Sequence, residues 1–130
     1  MNGRFRLYLL VLQITFVFSL YGQKTESKSI SYIETTSTWI YIYDESGKLF
    51  RTESRSRFGE LVGYSSSFFI IKKGSYYTLY NPNCRPLNTI LIDRIGEITS
   101  VVGDTFTARK GSFITVYDKT GKRLRSKMVQ

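Results

Sequence analysis

The sequence predicts an all-β chain, an antiparallel meander of about eleven short strands in three repeats of 37 residues. Three observations predict it. The stretch Trp39 to Thr52 (WIYIYDESGKLFRT) recurs, so that Tyr43-Asp44 is answered by Tyr80-Asn81 and Tyr117-Asp118, a step of 37 residues each time. The same ungapped step carries Gly59-Glu60 onto Gly96-Glu97, Phe69 onto Phe106, Lys73-Gly74-Ser75 onto Lys110-Gly111-Ser112 and Thr78 onto Thr115. A double step carries Ile40, Gly47, Lys48 and Arg51 onto Ile114, Gly121, Lys122 and Arg125. A fixed period of this size marks a repeated supersecondary unit. Second, the recurring segments are rich in aromatic and β-branched residues without a helical spacing of apolar positions. Third, turn residues stand at fixed offsets between them.

Residues 1–22 stand apart. Arg4 and Arg6 precede an apolar run from Leu7 to Tyr21, interrupted by Gln13 and Thr15. The run is too short and polar for a spanning helix, which needs about 20 apolar residues. A basic start, an apolar middle and Gly22 read as a secretory signal peptide cut near Gly22-Gln23, with an uncleaved membrane anchor as the alternative. The expected location is therefore secreted or periplasmic, with a single all-β repeat domain over 23–130 and repeats at about 23–58, 59–95 and 96–130. Arg4 and Arg6 leave with the signal, so 17 cations face 10 acids and the mature charge is +7. The only cysteine is Cys84, which excludes an internal disulfide and leaves stability to burial.

Gln23 to Ser29 is polar. Ile30–Thr35 then forms a strand aligned with Ser67–Lys72 and Asp104–Arg109. Each repeat continues with a hairpin whose incoming strands are Trp39–Tyr43, Tyr76–Tyr80 and Phe113–Tyr117. Both faces of these strands are apolar, so they are expected to be covered on both sides. The turns Asp44-Glu45-Ser46-Gly47, Asn81-Pro82-Asn83-Cys84 and Asp118-Lys119-Thr120-Gly121 open on a residue suited to a type I turn. Glycine at the fourth place supplies the left-handed residue of a G1 bulge. Cys84 holds that place in the second repeat, and Cys84→Gly is expected to stabilise the fold by about 0.5–1 kcal/mol. Arg51, Glu53, Arg55 and Arg57 read as the solvated face of an extended segment. The remaining strands are Leu61–Tyr64, Phe68–Lys72, Leu87–Ile92, Ile98–Val102, Phe106–Arg109 and a return through Leu124. No helix is expected after residue 22.

Four antiparallel strands joined by short turns resemble a β-propeller blade. The Tyr-Asp-x-x-Gly-Lys hairpin resembles the turn of WG-type and YD-type repeats of bacterial envelope proteins. That resemblance covers about ten residues per copy, and the second copy departs from it at Asn81 and Cys84. It implies blade-like repeats. Three blades are too few to close a propeller ring, so the sheet is expected to wrap into a barrel or sandwich or to pair with another chain. A β-trefoil is the alternative fold that fits the same repeat arithmetic.

The chain has no histidine, which removes the usual general base, metal ligand and triad partner. It has no Gly-x-Ser-x-Gly turn and no phosphate-binding glycine loop. Asp44-Glu45 and Glu97 with Asp104 are the only paired carboxylates offered for acid–base work, and Asp44 and Asp118 already have turn-capping places. No cofactor or metal is expected, and calcium lacks the six to eight oxygens it needs. The basic residues carry the functional expectation: Arg51, Arg55, Arg57, Arg109, Lys110, Lys122, Arg123, Arg125 and Lys127, interleaved with Tyr41, Tyr64, Tyr76 and Tyr77. A basic, aromatic surface suits an acidic glycan, an anionic lipid surface or an envelope protein, and secretion disfavours nucleic acid. The same cations also suit a solubilising face that blocks edge-to-edge pairing. The expected function is a non-enzymatic binding module. The alternatives are an assembly protein or homo-oligomer pairing through strand edges, and a carboxylate-dependent hydrolase.

Overall fold

The computed structural model of the protein describes residues 28–129, so the expected signal peptide lies outside the described residues. Eleven strands form three antiparallel sheets. The first contains β1 (Ile30–Thr35), β2 (Trp39–Asp44) and β3 (Leu49–Ser54). The second contains β4 (Glu60–Tyr64), β5 (Phe69–Lys73), β6 (Tyr76–Tyr80) and β7 (Pro86–Leu91). The third contains β8 (Glu97–Val102), β9 (Thr105–Lys110), β10 (Phe113–Asp118) and β11 (Arg123–Met128). In every sheet, strands adjacent in sequence are adjacent in space, which makes each a meander. The sheets remain separate. No barrel closes, so neither the wrapped barrel nor the single shared barrel of a trefoil forms.

The 37-residue step is a step in hydrogen-bond register. Ile33 pairs with Ile42, Ile70 with Leu79, and Thr107 with Val116. On the outgoing side Ile42 pairs with Arg51, Leu79 with Asn88, and Val116 with Arg125, and each ladder slips at the next residue, Tyr43, Tyr80 or Tyr117. That slip follows from the turn. The fourth turn residue is left-handed in all three copies, with φ of 79° at Gly47, 63° at Cys84 and 84° at Gly121. Its N–H donates to the first turn residue's carbonyl at 2.9 Å in each.

Two four-residue helical turns lie between the sheets, α1 (Arg55–Phe58) and α2 (Ile92–Ile95), and correct the expectation of an extended charged stripe through Arg57. Each ends at a glycine whose N–H donates back at 2.7 Å, Gly59 to Arg55 and Gly96 to Ile92. These turns redirect the chain so that each new sheet lies face to face on the last. The first core, between sheets one and two, joins Ile30, Ile33, Ile40 and Ile42 to Phe69 and Ile71. The second joins Phe68, Ile70, Tyr77, Leu79 and Ile90 to Ile95, Phe106 and Ala108. Adjacent residues Ile70 and Ile71 therefore enter different cores, because successive side chains point to opposite faces. At about 1.5–3 kcal/mol for each fully buried large apolar side chain, these two layers supply the main stabilising term.

Full coverage of both strand faces holds for the second sheet only. In the first sheet, Trp39, Tyr41 and Tyr43 alternate with buried Ile40 and Ile42 and lie on a face with no sheet against it among the described residues. In the third, Phe106, Ala108 and Tyr117 face the second core, which leaves Ile114 and Val116 on the outer face.

Candidate functional site

The ladders around β10 set the outer face of the third sheet. Ile114 pairs with Arg109 on one side and Lys127 on the other, and cross-strand partners share a face. Two residues along, Val116 pairs with Thr107 and Arg125. Two rows result, Arg109–Ile114–Lys127 and Thr107–Val116–Arg125, which β8 extends with Glu97 opposite Arg109 and Ser100 opposite Thr107. Arg109, Arg125 and Lys127 are exposed, and none forms an ion pair among the described residues. Arg109 Nε donates to the Gly111 carbonyl at 3.2 Å, which anchors that side chain along its strand end. The equivalent rows of the second sheet, Lys72–Tyr77–Ile90 and Ile70–Leu79–Asn88, carry much of the second core. Thr107 in place of Ile70 and Lys127 in place of Ile90 turn a packing surface into a solvated cationic one.

The other basic residues do not join this cluster. Arg55 donates from Nη1 to the Thr36 carbonyl at 2.7 Å, and Lys110 Nζ donates to the Asp93 carbonyl at 2.5 Å. Both tie loops together. Arg57 is exposed on α1, where its carbonyl accepts from Lys73 Nζ at 2.7 Å. Arg51 pairs with Ile42, so it projects from its repeat as Arg125 does, but at the junction of the first two sheets. Lys122 sits in the last hairpin turn, and Arg123 pairs with Tyr117 on the opposite face from Arg125. The tyrosines do not interleave with the cations either. Tyr77 is buried, Tyr64 packs on the first core, Tyr41 lies on the uncovered face of the first sheet and Tyr76 is exposed on the second sheet. Arg109, Arg125 and Lys127 share the outer face of the third sheet, while Tyr32, Trp39, Tyr41 and Tyr43 share the outer face of the first.

Asp44 and Asp118 are committed to their turns. Asp44 Oδ1 accepts from the Ser46 N–H at 2.9 Å, the Ser46 hydroxyl at 2.7 Å and the Lys48 N–H at 3.1 Å, while Lys28 lies 3.4 Å from Oδ2. Those donors, the Ser46 hydroxyl foremost, hold its pKa down at about 2. Asp118 repeats the pattern with Thr120 and Lys122, and its pKa is lowered, chiefly by the Thr120 hydroxyl. Glu97 opens β8 and Asp104 lies beyond its other end, so the two do not form a pair. Asp104 instead accepts from Ser67 at 2.6 Å and pairs with Lys119 at 3.5 Å. Among the described residues no three His, Cys, Asp or Glu side chains gather as metal ligands.

A shallow cleft of about 330 Å³ opens where turns of all three sheets meet, lined by Lys28, Ser29, Ser66, Ser67, Asn81, Pro82, Asn83, Leu87 and Lys119. It was not legible in the sequence, because its residues come from three repeats. The one available signal is the second turn's departure from the repeat at Asn81. Both lysines are already paired, Lys28 with Asp44 and Lys119 with Asp104, so the cleft offers hydroxyl and amide groups rather than free charge.

No protein-family model matches the chain, and no curated protein matches it. Among solved structures the chain is similar to Hsv2 of Kluyvelomyces marxianus, a yeast β-propeller, with a TM-score of 0.50 and 11% sequence identity. The match covers 78% of this chain and 40% of that one. The likeness is one of fold alone, all-β with consecutive antiparallel sheets.

Proposed function

We propose that the chain is a secreted or periplasmic, non-enzymatic β-repeat module that binds an acidic polymer or an envelope protein through the outer face of its third sheet. The observation that carries the reading is the pair of rows Arg109–Ile114–Lys127 and Thr107–Val116–Arg125. Three exposed cations stand on one rigid sheet around an apolar strip, with Glu97, the β8 partner of Arg109, as the one carboxylate in these rows and no ion pair joining it to them among the described residues. An acidic glycan or an anionic lipid surface binding there displaces counterions, which gives affinity and a marked salt dependence. The apolar strip, extended by half-exposed Leu124, adds contact for a protein partner. Assembly through strand edges is less favoured, because the outermost strand β11 carries Arg123, Arg125 and Lys127, cations of the kind that blunt an edge.

The test is retention on a heparin-like resin across a salt series. Changing Arg109, Arg125 and Lys127 to Gln is expected to weaken retention and flatten its salt slope by about 2. Changing Lys122, Arg123 and Arg55 to Gln removes as much charge from elsewhere and is expected to change the slope much less. Equal effects of the two triple variants would reduce the outer face to ordinary basic surface.

A further inference from the structure

The sheets pack by one rule. Each has a leading face, carrying Ile40 and Ile42, Tyr77 and Leu79, or Ile114 and Val116, and a trailing face, carrying Tyr43, Tyr80 or Tyr117. Twice in the chain a leading face packs on the next trailing face. Among the described residues, no sheet covers the trailing face of the first sheet or the leading face of the third. We propose that a second copy of this chain covers them, head to tail, with the third sheet of one molecule packed on the first sheet of the next in the register of the 37-residue step. The proposal rests on the reading of the third sheet's outer face as a binding surface and names its partner.

Continuity with the internal interfaces is the first argument. Tyr32 and Tyr43 hold the places of Phe69 and Tyr80 and of Phe106 and Tyr117. Both of those pairs stack at 5.2 Å beneath a covering sheet, and Phe69 and Phe106 are at most 1% exposed. Tyr32, with nothing over it, is 51% exposed and Trp39 43%. An aromatic face built to the pattern of two buried ones is matched by a sheet like those that bury them.

The second argument is a vacant slot. In the third sheet, a β-carbon on Gly121 would meet Asn88 Nδ2 at 2.8 Å and Ile90 Cδ1 at 2.9 Å, because β7 runs against that turn. In the second sheet, Cys84 packs against the first core at the equivalent place. At Gly47 a β-carbon would meet nothing within 4 Å. The residues one repeat beyond Asn88 and Ile90 are Arg125 and Lys127, so an incoming β11 fills the slot.

Charge is the third. The leading face brings Arg109, Arg125 and Lys127 against one carboxylate, Glu97, opposite Arg109. The trailing face substitutes Glu34 for the Ile71 and Ala108 of the later repeats and surrounds it with Tyr41, Tyr43 and Trp39. Cations over aromatic rings and beside one carboxylate are complementary contacts, and they favour opposite ends over like ends. Such a contact is heterologous, so it closes into a ring or propagates.

Sedimentation equilibrium of the purified chain over rising concentration reads the association. The wild type is expected to associate. Trp39→Ser with Tyr41→Ser, on the trailing face, and Ile114→Glu, on the leading face, are each expected to be monomeric with unchanged far-UV circular dichroism. Mixed one to one, the two variants each retain one intact face and are expected to form a heterodimer and nothing larger. An independent arm uses Gly47→Cys and Arg125→Cys chains, both with Cys84→Ser, which are expected to form a disulfide only when mixed. A wild type that stays monomeric, or a mixture that neither dimerises nor crosslinks, overturns the proposal. Heparin retention by the trailing-face variant, whose cations are intact, would in that case leave the polymer reading standing; its loss would remove both.

Discussion

Asn88 Nδ2 donates a hydrogen bond to the backbone carbonyl of Thr120 at 2.8 Å, fastening β7 of the second sheet to the hairpin turn of the third. This contact puts a restraint on the turn that φ alone does not. Gly121 must be left-handed for the bulge and must also lack a side chain, because Asn88 and Ile90 occupy the space. Gly47 has the first requirement without the second.

The two glycines therefore separate strain from packing. Gly47→Ala is expected to cost about 1 kcal/mol, the penalty for a β-carbon in the left-handed region. Gly121→Ala is expected to cost about 2–3 kcal/mol, since the neighbours must also shift. Urea unfolding of both variants reads the difference. Equal costs would mean that β7 is not held against the last turn.

A second contrast concerns the tyrosines that precede the turns. Tyr117 stacks on Phe106 with ring centroids 5.2 Å apart and packs on the second core. Tyr117→Ala is expected to lose about 2–4 kcal/mol. Tyr43 holds the same ladder position, but its ring has Tyr32 beside it at 6.0 Å and its hydroxyl reaches Glu34 at 3.5 Å, on a face that no described sheet covers. Tyr43→Ala in the monomer is expected to lose about 1 kcal/mol. If Tyr43→Ala proves as costly as Tyr117→Ala, the first sheet's trailing face is already covered.

The repeat was legible because backbone geometry enforces it. A bulge in an antiparallel ladder shifts register by one residue, so Tyr43, Tyr80 and Tyr117 stay at the same offset from their turns. The helical turns were not legible. Four residues are too few to show a 3.6-residue period, and in Arg55-Ser56-Arg57 the alternation imitates a strand. Nor does one repeat reveal which faces stay uncovered, since that depends on the order of stacking. The signal lay between repeats: Ile33 and Ile70 become Thr107, a polar change confined to the last sheet, and the place of Glu53 and Ile90 becomes the cation Lys127.

Cys84 shows how local geometry and packing divide. Its φ of 63° confirms that a side chain occupies the left-handed place of the bulge. The side chain nevertheless packs against the first core, which the turn pattern did not reveal. Cys84→Gly thus relieves about 1 kcal/mol of strain while losing a comparable amount of burial and freeing the unfolded chain. The expected net change is within about 0.5 kcal/mol, a correction to the gain read from the turn alone. Cys84→Ala keeps the strain and loses the sulfur, so it is expected to cost about 1 kcal/mol. Burial, with Glu53 adding to it and Arg51 opposing, pushes the thiol pKa up to about 11. Alkylation at pH 8 is therefore expected to be slower in the folded chain than in the urea-unfolded one, because the thiolate is the reactive form.

Asp44 supplies the pH dependence. Its carboxylate accepts three hydrogen bonds inside the first turn and its folded pKa lies at about 2, below the value of about 3.9 for an unfolded aspartate. A depressed folded pKa contributes stability that is fully present above the unfolded pKa and is lost as pH falls toward the folded one. The window is therefore about pH 4 to 2. Asp118 and Asp104 are shifted in the same direction, by the hydroxyls of Thr120 and Ser67 first, and widen the same acid transition. The second turn shows that the fold accepts a neutral replacement, since Asn81 Oδ1 accepts from the Arg85 N–H at 3.0 Å. Asp44→Asn is thus expected to keep the turn, to be less stable than the wild type at pH 7, and to approach it as pH falls to about 2. Urea unfolding at pH 7, 4 and 2.5 tests this. Curves that stay parallel across those three conditions would show that the Asp44 charge does not stabilise the first turn.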